Sequence, residues 1–161
     1  MNSINRRRLL KLVGAFFLSR GAGIAPVLAA NQPSALDKST FAAFLDILIP
    51  GNSGSGSASD LLVDQGLWQI AGEDEQFHQL VHIGCQWLNM TGGMRFANLS
   101  SEQQGVIVTW MAQADWNQVP RRFYELVRQL ALELYYSQTA AWAGLPIQSP
   151  PQPRGYPPPW P

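Results

Sequence analysis

The segment DEQFHQLVHIGCQWL, residues 74–88, has the clearest helical pattern in the chain and decides its fold class. Apolar or small side chains recur along it every three or four residues, at Phe77, Leu80, Val81, Gly84 and Leu88. This spacing places them on one face of an amphipathic helix, with polar residues on the other. The segment therefore predicts a helix that packs one side against a core.

Two segments before it have the same periodicity. Residues 39–49 predict a helix that Pro50 and Gly51 stop, and residues 60–71 predict a short second helix. Between them, GNSGSGSAS, residues 51–59, contains only Gly, Ser, Asn and Ala. Because these residues bury little apolar area to offset the entropy of ordering, they predict a flexible loop.

Two more helices are predicted after it. Ser100 and Gln103 form a capping box that opens a helix ending near Asp115. The side chains predicted to face inward on that helix are Val106, Ile107, Trp110, Met111 and Ala114. Pro120 fits the first turn of the last helix, where its missing N–H costs nothing. The predicted buried face of that helix consists of Phe123, Leu126, Val127, Leu130 and Leu134.

No strand pattern competes with these helices, so the predicted fold is all-α, a small irregular helical domain of about five helices. This domain is assigned to residues 31–143, a length that suffices for one core but not for two. Eight of the twelve prolines fall between Pro146 and Pro161. Residues 144–161 are therefore predicted to form an extended, polyproline-like tail.

The first 30 residues have the pattern of a twin-arginine export signal. A basic start runs into an apolar stretch that ends in small residues, and its key positions are Arg6, Arg7, Leu9, Leu10 and Lys11. The alternatives are an uncleaved amphipathic anchor and a disordered basic arm. An export signal predicts a periplasmic protein that crosses the membrane already folded, either with a cofactor of its own or with another protein.

Charge and cysteine content exclude several classes. Five of the eleven Lys and Arg lie in residues 1–30, so the remainder has six against eleven Asp and Glu, a net charge of −5. This acidic balance argues against a nucleic-acid partner, which needs clustered cations. The single cysteine, Cys85, excludes an internal disulfide framework and the C-x-x-C-H haem attachment motif.

Two motifs suggest ligands but lack the required context. GSGSAS, residues 54–59, is close to the dinucleotide fingerprint G-x-G-x-x-G, but it follows a helical segment and no βαβ unit is present.

His78, His82 and Cys85 have i, i+4, i+7 spacing and suit zinc or copper. They lie beside the apolar stripe, a fourth ligand is not evident, and HQLVH lacks the Glu of H-E-x-x-H. A stand-alone periplasmic metal-binding protein that uses these three residues is thus kept only as the alternative hypothesis. No catalytic residue is predicted.

Aromatic residues near the C-terminus allow two interpretations, and the two are compatible. The residues are Tyr135, Tyr136, Trp142, Tyr156 and Trp160. Large rings on a rigid extended segment are typical of a partner interface, since Tyr and Trp dominate interface energetics. The same rings also gain by covering the helices of their own domain.

Four segments in a fixed order, together with the twin-arginine start, resemble a known family. They are DILIP (46–50), FANLSSEQQ (96–104), FYELVRQLALELYYS (123–137) and GLPIQSPPQPRGYP (144–157). On these segments the chain resembles the gluconate 2-dehydrogenase small-subunit family, also called subunit 3.

The resemblance implies a non-catalytic helical subunit of a large FAD-dependent sugar or polyol dehydrogenase, with FAD in the large subunit and no cofactor in this chain. A membrane-bound multihaem cytochrome c subunit often joins such complexes. The chain would bind the folded large subunit and carry it through the twin-arginine translocation machinery. The complex would then reside in the periplasm at the inner membrane.

Overall fold

The computed structural model describes residues 36–143, which form five α-helices, two 3₁₀-helical turns and no strand. The helices are α1 (Lys38–Leu48), α2 (Val63–Glu73), α3 (Glu75–Thr91), α4 (Ser101–Gln113) and α5 (Val119–Tyr136). The 3₁₀ turns η1 (Phe96–Asn98) and η2 (Thr139–Trp142) precede α4 and follow α5. The all-α prediction is confirmed, whereas the proposed signal and tail lie outside the described residues.

The core forms around α5, which packs against α2, α3 and α4. Phe123 near the start of α5 is fully buried between two rings of α1, with ring centroids 6.4 Å from Phe41 and 4.8 Å from Phe44. Burying each large side chain of this kind contributes about 1.5–3 kcal/mol. The predicted buried face of α5 is confirmed, except that Leu134 is only partly buried.

The apolar stripe of residues 74–88 is also confirmed. Its members Phe77, Leu80, Val81, Gly84 and Leu88 are all buried along α3. Gly84 is the point where α3 crosses α5, because the ring of Phe123 occupies the space that a Cβ at this position would need. The two helices therefore approach each other more closely here than any larger side chain would allow.

Side-chain caps fix where three of the helices begin. Asp37 accepts a hydrogen bond from the Thr40 amide at 3.2 Å, and Asp74 accepts one from the Phe77 amide at 2.9 Å. The predicted capping box of α4 is present in both directions between Ser100 and Gln103. Such caps pair backbone N–H groups that have no partner inside the helix.

The second helix begins later than the sequence predicts, at Val63 rather than at residue 60. Leu62 has a left-handed backbone conformation, with φ of 56°, which a right-handed helix does not include. Residues 58–62 form turns instead, and these turns direct the chain from the glycine-rich loop into α2.

The predicted inward face of α4 is wrong at two positions. Val106 and Trp110 are 67% and 49% exposed, whereas Gln104, Val108 and Met111 are buried. The buried Gln104 amide donates to the Phe96 carbonyl oxygen at 2.9 Å, and this bond fixes the side of α4 that faces the core.

No helix within residues 36–143 is both long enough and apolar enough to cross a bilayer.

Candidate functional site

The glycine-rich loop between α1 and α2 makes several hydrogen bonds, within itself and to α1. Asn52 Oδ1 accepts from the amides of Gly54 and Ser55 at 2.7 and 3.0 Å. At the end of the loop, Asp46 accepts from the Ser59 amide at 2.9 Å and from its hydroxyl at 2.7 Å. The composition of the loop indicates how little apolar area it buries, but it does not indicate these polar contacts.

The same contacts speak against a nucleotide site at this loop. An open depression of about 520 Å³ lies beside it, and the depression is also lined by Leu61, Ala140 and Ala143. The Ser57 amide points to the Asp60 carboxylate at 2.9 Å, so a negative charge already stands where a phosphate would bind. A helix rather than a strand precedes the loop, so the context of a dinucleotide fingerprint is missing.

The five aromatic candidates for a partner interface fall into four groups. Tyr135 lies in the interior of the domain, 3% exposed, and its hydroxyl donates to the Gly56 carbonyl oxygen at 2.7 Å. Tyr136 meets the Tyr135 ring edge-on and is exposed, and Trp142 is partly buried against the core. Tyr156 and Trp160 lie outside the described residues. Tyr135 is therefore not open to a partner, whereas Tyr136 is.

Replacing Tyr135 with phenylalanine is expected to lower the free energy of unfolding by about 1–2 kcal/mol, since the Gly56 carbonyl loses its donor. Urea denaturation followed by circular dichroism measures this change. Tyr136→Phe is the matched control and should stay within about 0.5 kcal/mol of wild type. Equal stability of the two variants would contradict the role of the Tyr135 hydroxyl.

The proposed metal ligands do not form a site. His78 and His82 are half-buried on the flank of α3, and Cys85 is buried. Burial, and secondarily the charge of Asp37, raises the pKa of the Cys85 thiol to about 12. The thiol therefore stays protonated, which makes it a poor nucleophile and a poor metal ligand. No group of three or more His, Cys, Asp or Glu in residues 36–143 could hold a metal ion, so the metal hypothesis is not supported.

A polar cluster around Asp37 ties the start of α1 to the end of α3. Asp37 Oδ1 accepts from the Ser39 hydroxyl at 2.9 Å and from the Thr40 amide. Its Oδ2 accepts from Asn89 Nδ2 at 2.9 Å and from Arg95 Nη2 at 2.9 Å. Burial alone would raise the pKa of Asp37, but these hydrogen bonds outweigh it and hold the pKa well below its usual range.

Asn89 is the centre of this cluster. Its side-chain oxygen accepts from the Thr40 hydroxyl at 2.8 Å and from the Phe96 amide at 2.9 Å. The Phe96 carbonyl in turn accepts from Gln104, so the hydrogen bonds connect α1, α3, η1 and α4. Because these groups bond one another, the cluster holds the fold together and has a structural role.

A surface on α3 and α4 has a different character. Ile83, Trp87 and Met90 follow one another at i, i+4 and i+7 on α3, and Trp87 stacks on Trp110 of α4 with ring centroids 5.4 Å apart. Val106 precedes Trp110 by one turn of α4. We call these five residues the tryptophan face. Met90 is 83% exposed, and the face presents apolar and aromatic groups to solvent.

The sequence held a signal for the tryptophan face that periodicity alone does not reveal. Residues 76–94 and 103–114 contain no Asp, Glu, Lys or Arg, although both stretches include exposed helical positions. A helix face in contact with water usually carries charged residues.

Comparison with known families identifies the domain. The family model described as Gluconate 2-dehydrogenase subunit 3 matches residues 35–145, well over half of the chain. The chain belongs to this family. No curated protein and no solved structure matches the chain. The resemblance seen in the sequence is confirmed, and subunit 3 membership associates the chain with a dehydrogenase complex.

The match extends over the whole described domain, including the tryptophan face and the Asp37 cluster. A subunit 3 protein belongs to an assembly, so the surfaces that a partner can reach are its candidate functional sites. The polar groups of the Asp37 cluster bond one another within the domain, whereas the tryptophan face and Tyr136 are accessible to a partner.

Proposed function

We propose that this chain is the non-catalytic small subunit of a periplasmic FAD-dependent sugar or polyol dehydrogenase. It escorts the folded large subunit through twin-arginine export and then stabilises it in the complex. The family match over residues 35–145 carries this proposal. FAD and the substrate site belong to the large subunit, and the complex resides in the periplasm at the inner membrane.

The basic start of the chain supports the escort role. Arg6 and Arg7 precede Leu9, Leu10 and Lys11 in the order of a twin-arginine signal. This route carries folded proteins, so a large subunit can travel with its FAD in place if this chain supplies the signal. The exposed apolar side chains of the domain offer a surface to which the large subunit can bind during transport.

Replacing both Arg6 and Arg7 with lysine is expected to reduce periplasmic dehydrogenase activity to the level of a strain that lacks this chain. Lysine keeps the charge but loses the planar guanidinium groups, so the export machinery should no longer recognise the signal. Activity and FAD content of the large subunit are measured in separated periplasmic and cytoplasmic fractions.

Arg20→Lys is the matched control, because it makes the same change outside the arginine pair and should leave export intact. In the double variant, the large subunit should accumulate in the cytoplasm with FAD bound. Normal periplasmic activity of the double variant would overturn the escort role.

A further inference from the structure

One helix of this domain is apolar on two opposite sides. Val108 and Met111 of α4 face the core, whereas Val106 and Trp110 face solvent. Exposed apolar side chains that adjoin one another in one patch indicate an interaction surface. Within residues 36–143, Val106 and Trp110 remain largely in contact with solvent, where burial against a partner would remove apolar area from water.

The helix that completes this surface shows the same lack of charge. Glu75 and Glu102 in the first turns of α3 and α4 are exposed, but beyond them the exposed polar positions of both helices are uncharged, namely Gln76, Gln79, Gln86, Gln103, Thr109 and Gln113. By contrast, α5 carries Arg121, Arg122, Glu125, Arg128 and Glu133. The centres of protein interfaces are depleted in Lys, Glu and Asp and enriched in Trp and Met. The surface around the tryptophan face has this composition, and α5 has the composition of a solvated helix.

We infer that the tryptophan face is the surface through which this domain binds the folded large dehydrogenase subunit. The inference rests on the proposed function, since it names the part of the small subunit that makes the contact. Trp110 is the side chain expected to insert into the partner, and Trp87 holds its ring in place by stacking on it with an interplanar angle of 14°. A ring that is already held in place loses little freedom on binding.

The position of the face favours a separate protein over the C-terminal tail. The described chain ends at Ala143, just after the C-terminal end of α5. The face is near the other end, because Gly84, three residues before Trp87, contacts Phe123. Phe123 lies about 18 Å along α5 from Tyr135. Ala143, where the described chain ends, therefore lies toward the end of the domain away from the face, whereas a large partner can dock on the face directly.

The test measures affinity for the FAD-containing large subunit, purified from the complex that forms with the wild-type chain. Met90→Glu introduces a charge at an 83% exposed position of the face, so it leaves the fold intact. It is expected to weaken binding at least tenfold, and Trp110→Ser about 30-fold, the typical loss at a central tryptophan. Circular dichroism and thermal unfolding confirm that both variants are folded.

Leu62→Glu is the matched control, because Leu62 is also exposed but lies at the start of α2, outside the face. Its affinity should stay within about twofold of wild type. Unchanged binding by Met90→Glu would overturn the inference while leaving the proposed function intact. A wild-type chain that binds no flavoprotein would instead overturn the proposed function.

Two further outcomes would assign the face to another occupant and overturn the inference. One is that Met90→Glu abolishes only self-association, seen by analytical ultracentrifugation of the full chain. The other is that deletion of residues 144–161 shifts the tryptophan fluorescence to longer wavelength and strengthens binding of the flavoprotein, which would show that the tail covers the face.

Discussion

Replacing Gly84 with alanine is expected to lower the free energy of unfolding by about 3 kcal/mol, the upper range for overpacking in a core. The new Cβ would overlap the ring of Phe123. That ring is fully buried against Phe41 and Phe44, so it has no free space to move into. In a domain of this size, the melting temperature should fall by about 15 °C, measured by circular dichroism.

Gly72→Ala is the control for this prediction. Gly72 lies on α2, and no atom lies within 4 Å of the position that its Cβ would take. The same substitution should therefore stabilise the domain by about 0.5–1 kcal/mol, because alanine favours the helix over the unfolded chain. Two stabilising substitutions, or a Gly84 variant equal to wild type, would contradict the close crossing of α3 and α5.

The helices were predictable from sequence where one side of the helix is clearly more apolar than the other. Phe77, Leu80 and Leu88 define the inner side of α3 through local spacing alone. The need for glycine at position 84 was not predictable, because it arises from Phe123, which is distant in sequence. Periodicity describes one helix at a time and does not report which residues meet between helices.

The orientation of α4 shows where periodicity fails. Val106, Val108, Trp110 and Met111 give apolar groups on both sides, so spacing does not decide which side faces the core. The side that packs against α1 and α5 includes Gln104, and this buried amide finds its partner in the Phe96 carbonyl oxygen. The error placed Trp110 in the core and concealed the tryptophan face.

The candidate site was predictable in composition but not in position. The sequence predicts partner contacts among the C-terminal aromatic residues, but one of them, Tyr135, packs in the core instead. The charge-free stretch of residues 76–94 was available as a signal, but its meaning depends on which of its residues are exposed. The Asp37 cluster joins Asp37, Asn89 and Arg95 across more than 50 residues, and no local pattern marks such a pairing.

Replacing Asp37 with asparagine is expected to lower the free energy of unfolding at pH 7 by about 2 kcal/mol, typical for loss of charge-assisted hydrogen bonds. The asparagine side chain presents an NH₂ group where the carboxylate accepts from Asn89 or from Ser39 and Thr40. Urea denaturation measures the change. Glu133→Gln, which neutralises an exposed carboxylate of α5, is the control and should stay within about 0.5 kcal/mol of wild type.

The dependence of stability on pH distinguishes the effect of the Asp37 charge from the effect of its side-chain shape, which Asp37→Asn retains. An unfolded aspartate titrates near pH 4, whereas the folded domain holds the pKa of Asp37 well below its usual range. The ionised carboxylate therefore stabilises the fold fully above about pH 5, and this contribution is lost as the pH falls below about 4. The difference in free energy of unfolding between wild type and Asp37→Asn should therefore become smaller as the pH falls below about 4.

Arg95 provides the last comparison, because it is the one cationic donor to Asp37 among the residues that the structure describes. Its side chain is 56% exposed, so its ion pair with Asp37 contributes less than about 1 kcal/mol. Arg95→Gln should therefore lower the free energy of unfolding by less than Asp37→Asn does. This variant should still lose stability at low pH, since the donors from Ser39, Thr40 and Asn89 remain. A difference between wild type and Asp37→Asn that stays constant down to pH 2 would show that the carboxylate is not held ionised. If Arg95→Gln instead removed the pH dependence, the ion pair rather than the neutral donors would hold the start of α1 against α3.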